Sequence, residues 1–165
     1  MIILGIDPGT SSIGYSIFDV GSREPRLRRA GVFRLERIAP GERLLTLHTS
    51  VKKLIAEWGP GTLAIEKLFF AKNAKTALAV SESRGALLLT ATLAGITVFE
   101  YTPLEIKKTV TGNGGADKAA VEKMIRLVLP DAAGIKTQDD TFDAIAVAYT
   151  CYLKEFRNPY TKQLR

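Results

Sequence analysis

The stretch Ile2-Ile3-Leu4-Gly5-Ile6-Asp7-Pro8-Gly9 decides how this chain folds. Its short apolar run, bounded by a turn signal, reads as a buried strand. Asp7 ends the run and Pro8-Gly9 turns the chain. Working outward, residues 13–20 place apolar side chains at Ile13, Tyr15 and Ile17, a second strand. Residues 27–35 give a third, with Val32, Phe33 and Leu35. The short turns between them predict an antiparallel meander.

Beyond residue 40 the period changes. Leu44, His48, Val51, Ile55 and Trp58 recur at three or four residues, which predicts a helix over 42–58 closed by Gly59-Pro60-Gly61. Thr62-Leu63-Ala64-Ile65-Glu66 is a short strand after a helix, so it is expected parallel to the first. A long helix follows over 73–94, with Ala74, Ala77, Ser81, Gly85, Leu88 and Thr92 down one side, then a strand over 97–100. Thr102-Pro103-Leu104-Glu105 carries an N-cap, a proline at the first helical position and a capping-box glutamate. The loop Gly112-Asn113-Gly114-Gly115 leads to a helix over 117–129, and a last helix runs from near Thr137 to about Phe156. The order βββαβαβααα predicts an α/β protein: an open, five-stranded mixed sheet flanked by helices. One domain is expected over 1–157, followed by a basic tail over 158–165.

Composition narrows the chemistry. The chain has 165 residues with 23 Lys and Arg against 17 Asp and Glu, a net charge of +6 that suits a polyanionic partner. One cysteine, Cys151, rules out a disulfide framework and a cysteine-based zinc site, and one histidine, His48, rules out a multi-histidine metal site. His48 has the spacing of a satisfied, partly buried side chain, and Cys151 that of inert core. No apolar run approaches the ~18 residues of a membrane span, and the opening segment has no basic region of the secretory kind. A cytoplasmic protein without membrane contact is expected, and any metal it holds must be bound mainly by oxygen.

Three places offer that oxygen. Asp7 ends the first strand and Glu66 the fourth; if the strands are parallel neighbours, their carboxyl ends lie side by side, where open α/β sheets keep their sites. Asp140 and Asp143 stand three apart at the start of the last helix, on one face. Acids also serve helix N-termini by capping and through the macrodipole, and the neighbouring Asp139 fits that use. Yet Asp143 borders the apolar run Ala144-Ile145-Ala146-Val147-Ala148. Four carboxylates without histidine match Mg²⁺ or Mn²⁺. Two such ions can hold a phosphodiester between them and activate water for in-line attack.

The segments GIDPGTSSIGY, AIEKLFFAKNAKTAL, SESRGALLL, VFEYTPLEIKKTVTGNGGADKAAV and DDTFDAIAVA together resemble the bacterial RuvC family of Holliday-junction resolvases, in the family's order over roughly residues 1–155. The resemblance implies an RNase H-like fold, a homodimer, and Mg²⁺- or Mn²⁺-dependent endonuclease action on four-way DNA junctions by paired symmetric nicks. It implies Asp7, Glu66, Asp140 and Asp143 as metal-binding acids, with two ions per site. Lys107 and Lys118 match lysines near the scissile phosphate, where they stabilise transition-state charge. Phe69, beside Phe70, matches an aromatic that stacks on an unpaired base at the junction centre, and Lys72 of the same segment is expected on the DNA. Lys67, next to Glu66, departs from the family's pattern and either meets phosphate, lowers the pKa of Glu66 or points away. The branch-migration proteins RuvA and RuvB are the partners the resemblance implies. The Asp7-Pro8-Gly9-Thr10-Ser11 opening also occurs in the sugar-kinase and actin superfamily, but the duplicated second domain of those proteins is not among these 165 residues.

Overall fold

β1 (Ile2–Asp7) is the middle strand of the sheet, whose order is β3-β2-β1-β4-β5. In this computed structural model the described residues are 1–21, 24–36, 38–67, 74–136 and 140–157. β2 (Ser12–Asp19) pairs antiparallel with β1, and β3 (Arg26–Arg34) antiparallel with β2, so the expected meander forms one half of the sheet. β4 (Thr62–Glu66) lies parallel to β1, and β5 (Thr97–Tyr101) parallel to β4. Both parallel connections run through helices, α1 (Pro40–Trp58) and α2 (Ala74–Leu93), as such crossovers require.

Side-chain alternation divides the strands between two cores. On one face Leu4, Ile6, Ile13, Ile17, Leu63 and Ile65 meet Leu47, Val51 and Leu54 of α1 and Leu87 and Ala91 of α2. On the other, Ile3, Phe18, Ala64 and Tyr101 meet α3 (Pro103–Thr111), α4 (Lys118–Val128) and α5 (Thr141–Cys151). α5 continues as a wider π-type turn over Tyr152–Phe156. Two details differ from the sequence reading. The buried stripe of α1 is Leu47, Val51 and Leu54, while Leu44 and His48 are half-buried beside it. The last helix begins at Thr141, and residues 137–139, with Thr137 and Asp139, lie outside the described residues, as does the tail over 158–165.

Local chemistry sets the helix starts. Thr102 Oγ1 accepts from the Glu105 amide at 3.2 Å, and the Thr102 amide donates to Glu105 Oε2 at 2.9 Å, the expected capping box of α3. Asp117 caps α4 by accepting from the Ala120 amide at 2.8 Å. Arg126 of α4 secures the approach to α5: its guanidinium donates to the carbonyls of Ala132, Ala133 and Ile135 and lies 4.4 Å from the centre of the Phe142 ring. Among the described residues no helix is long and apolar enough to cross a membrane.

α5 is buried at every position from Thr141 to Cys151 except Asp143. It comes unusually near the sheet because two strand residues lack side chains. A Cβ on Gly5 would stand 2.5 Å from the Ala144 carbonyl oxygen and 2.6 Å from Ser16 Oγ, and one on Gly14 would overlap the Asp140 carbonyl. Glycine in a strand commonly marks such close backbone approach. Gly5→Ala is therefore expected to lower stability by ~1–3 kcal/mol through overpacking, read as a drop of several degrees in thermal melting.

Candidate active site

The register carries the acids to one place. Ile6 of β1 pairs with Ile65 of β4, so Asp7 and Glu66 follow at the carboxyl ends of neighbouring parallel strands. Gly5 and Ala64 face α5, and the two-residue period puts Asp7 and Glu66 on the same side. From above, α5 lowers its first turn onto β1 and β2. Asp140 stands at the N-cap position but makes no side-chain cap hydrogen bond, so the capping alternative does not describe it. Carboxylate oxygens of Asp7, Asp140 and Asp143 all lie within 4.8 Å of one another. Glu66 stands outside that tight trio, yet it lines the same cleft of about 270 Å³ with Asp7, Asp143, Lys107 and Lys118, walled by Pro103, Ile106, Val121 and Ala146.

Both predicted lysines thus reach the acids, from α3 and from the first residue of α4. Lys118 Nζ donates to Asp143 Oδ2 at 2.5 Å. That bond raises the Lys118 pKa and keeps the ammonium charged. The cleft is nonetheless short of positive charge. Burial, and then repulsion from Glu66, Asp143 and Asp140, pushes the Asp7 carboxyl well above its usual range against a smaller opposing pull from Lys118. Glu66 is raised to about 7, chiefly by burial and then by Asp143, with Lys118 and Lys107 opposing. Buried carboxylates that repel one another are the donor set of a hard divalent cation, which takes oxygen ligands and favours their ionised form. The residues present fit Mg²⁺ or Mn²⁺.

The remaining expectations fall out as follows. Phe69, Phe70 and Lys72 lie outside the described residues. Lys67 is exposed and is not part of the cleft lining. His48 Nδ1 lies 2.8 Å from Thr90 Oγ1, which itself donates to the Ala86 carbonyl, so the histidine is satisfied between α1 and α2. Cys151 is buried, and burial raises its thiol to about 12, so it is not a nucleophile. A larger depression of about 830 Å³ lies between β3, the end of α4 and the π-type turn. Its Asp131 is held by Arg26 at 2.8 and 3.0 Å, and among the described residues no carboxylate cluster lies there. Sequence reasoning passed over Gly5, Gly14 and Ser16, which govern how near α5 comes. The available signal was glycine and serine interrupting otherwise apolar strands.

Comparison with known proteins agrees with this architecture. Residues 3–151 match the sequence pattern of the family described as crossover junction endodeoxyribonuclease RuvC. The protein of that name from Roseiflexus sp. (strain RS-1) is 44% identical over 146 residues, covering 88% of this chain and 86% of the relative. That from Moorella thermoacetica is 43% identical over 155 residues, covering 90% and 89%. In three dimensions the chain is similar to Thermus thermophilus RuvC solved in complex with a Holliday junction substrate. The TM-score is 0.80 at 31% identity, with 91% of this chain and 92% of that one covered. With its five-stranded mixed sheet, its flanking helices and these matches along nearly its whole length, the chain belongs to the RuvC family of crossover junction endodeoxyribonucleases.

Proposed function

We propose that this chain is an endodeoxyribonuclease that resolves four-way DNA junctions as a homodimer, nicking two opposing strands symmetrically by metal-dependent phosphodiester hydrolysis. The observation that carries this reading is the meeting of Asp7, Asp140 and Asp143 within 4.8 Å, with Glu66 in the same cleft, in a chain of this family. These four acids are the proposed ligands of two Mg²⁺ or Mn²⁺ ions. When bound, such ions polarise a phosphodiester and lower the pKa of water. The chain's own groups supply the rest. Lys118 and Lys107 bring positive charge to the edge of the acid cluster, where a phosphate and its developing transition-state charge gain from it. Apolar Ile106, Val121 and Ala146 line the cleft beside them and lower the local polarity, which strengthens those interactions. On the DNA side the reading includes Phe69 stacking on an unpaired base and Lys72 on the backbone; both rest on the sequence resemblance, as do RuvA and RuvB as partners.

The dimer is supported by α2. Leu78, Leu89 and Leu93 are exposed by 69%, 59% and 73%, and they share a helix face with Gly85, above which there is open space. That face differs from the small-residue stripe read from the sequence, in which Leu88 instead packs toward the core. A two-fold contact through α2 would bury these leucines and set two clefts symmetrically on a junction.

The deciding experiment compares cleavage of a four-way junction with that of linear duplex in Mg²⁺ or Mn²⁺. Selective, paired nicking of the junction is expected, and Asp7→Asn should abolish it while retaining junction binding. Indifference to junction structure would overturn the reading. The raised pKa values of Asp7 and Glu66 mean that ionising them in the folded state costs stability; for Glu66 that loss grows as pH rises from about 4.5 through about 7. Metal-free Glu66→Gln should therefore melt above the unsubstituted protein at pH 8, with the gap closing toward pH 5. Because a protonated carboxylate is a poor ligand, Mn²⁺ binding should strengthen from pH 6 to pH 8 and release protons, read by calorimetry in buffers of different ionisation enthalpy. For the dimer, Leu89→Lys combined with Leu93→Lys should give a monomer at micromolar concentration by light scattering.

A further inference from the structure

One polar side chain is sealed beneath the site and plays no part in the chemistry proposed above. Ser16 lies on β2 with no solvent exposure, opposite Gly5 of β1. Its hydroxyl donates to the carbonyl of Ala144 at 2.9 Å, a bond between residues 128 apart in the chain. Ala144 directly follows Asp143, and its own amide donates to the Asp140 carbonyl at 3.0 Å. The Ala144 residue is thus held at both ends, by Ser16 from the sheet and by Asp140 within the turn. The Asp140 carbonyl in turn rests over Gly14, where any Cβ would displace it.

We propose that Ser16 is a positioning residue for the carboxylate site. Through the Ala144 carbonyl its hydroxyl holds the first turn of α5 down on β1, keeping Asp140 and Asp143 within ligand-sharing distance of Asp7. The physical need is plain. Three carboxylates within 4.8 Å repel one another, and the force acts to lift α5 from the sheet. Gly5 and Gly14 permit the close approach but exert no pull. The Ser16 hydrogen bond is a directional contact from sheet to turn, and it is buried where such a bond is electrostatically strong. The serine also fills the space opened by the missing side chain of Gly5. Groups that orient metal ligands typically change affinity by about 10–100-fold when removed, and one acting through the backbone belongs at the low end.

The inference rests on the reading of the acids as metal ligands, so its test is binding of Mn²⁺ alone, followed by calorimetry on the full chain without DNA. Ser16→Ala is expected to weaken Mn²⁺ binding about tenfold. Ser83→Ala is the matched control. Ser83 is also a buried serine donating to a helix carbonyl, that of Ala79, but it lies on α2 away from the cleft. Both variants should melt lower, and only Ser16→Ala should lose affinity. Ser16→Cys keeps a side chain of the same shape, somewhat larger, with a weaker donor and should shift affinity in the same direction; it decides the matter if the alanine variant does not fold. Equal Mn²⁺ affinity in Ser16→Ala, or in Ser16→Cys where that variant decides, and the unsubstituted protein would overturn the proposal while leaving the metal reading intact. No Mn²⁺ binding by the unsubstituted protein, or unchanged binding by Asp7→Asn, would overturn the metal reading and the proposal with it.

Discussion

The closeness of α5 to the central strands is the constraint on which the rest of this structure depends. A helix ordinarily packs on a sheet through interposed side chains. Here Gly5 and Gly14 remove that layer under the first turn of α5, and Ala144 and Ala148 keep the helix side thin. The backbone of α5 therefore sits where a side chain would otherwise be, and Asp140 and Asp143 reach the level of Asp7. Arg126 supports the same placement from outside, gathering three carbonyls of the segment that leads toward α5. Core packing and site geometry are consequently one problem in this molecule, since a shift of an ångström in the helix separates the acids by as much.

The acids themselves oppose this arrangement. Asp7 and Glu66 follow strand interiors that are fully apolar, and both carry raised pKa values because burial and like charge disfavour ionisation. Lys118 relieves part of the strain through Asp143. A fold selected only for stability would not place carboxylates so. Lys118 offsets only part of their charge, and the stability of the surrounding core absorbs the cost. The mixed topology makes this possible: a parallel β1–β4 pair sets two strand ends side by side, while the antiparallel β2 returns past them and supplies Gly14 and Ser16 as the floor for α5.

Much of this was legible in the residues, for identifiable reasons. The Ile2–Ile6 run, the Thr102–Glu105 capping box and the Gly59-Pro60-Gly61 stop are local signals, and local structure obeys them. Asp7 and Glu66 could be paired because strand order and direction follow from a helical crossover. The phase of α1 was harder: leucines occur at 44, 45, 47 and 54, so two adjacent stripes satisfy the same period, and only the sheet selects Leu47, Val51 and Leu54. α5 is apolar on nearly every side, so its pattern cannot say which face meets the sheet. The role of Ser16 is tertiary altogether, since its partner lies 128 residues away.

That separation has a consequence for the life of the chain before it is complete. Asp7 is made before Asp140, Asp143 and the helix that carries them. Domains generally fold as units, and α5 is central to the core of this one. All five strands and both lysines are made while the cluster still lacks two of its acids. A chain cut short before α5 carries only part of the carboxylate cluster. The fold thus ties assembly of the cluster to docking of α5: only a chain translated through this helix, with the helix folded onto the sheet, carries the full set of carboxylates.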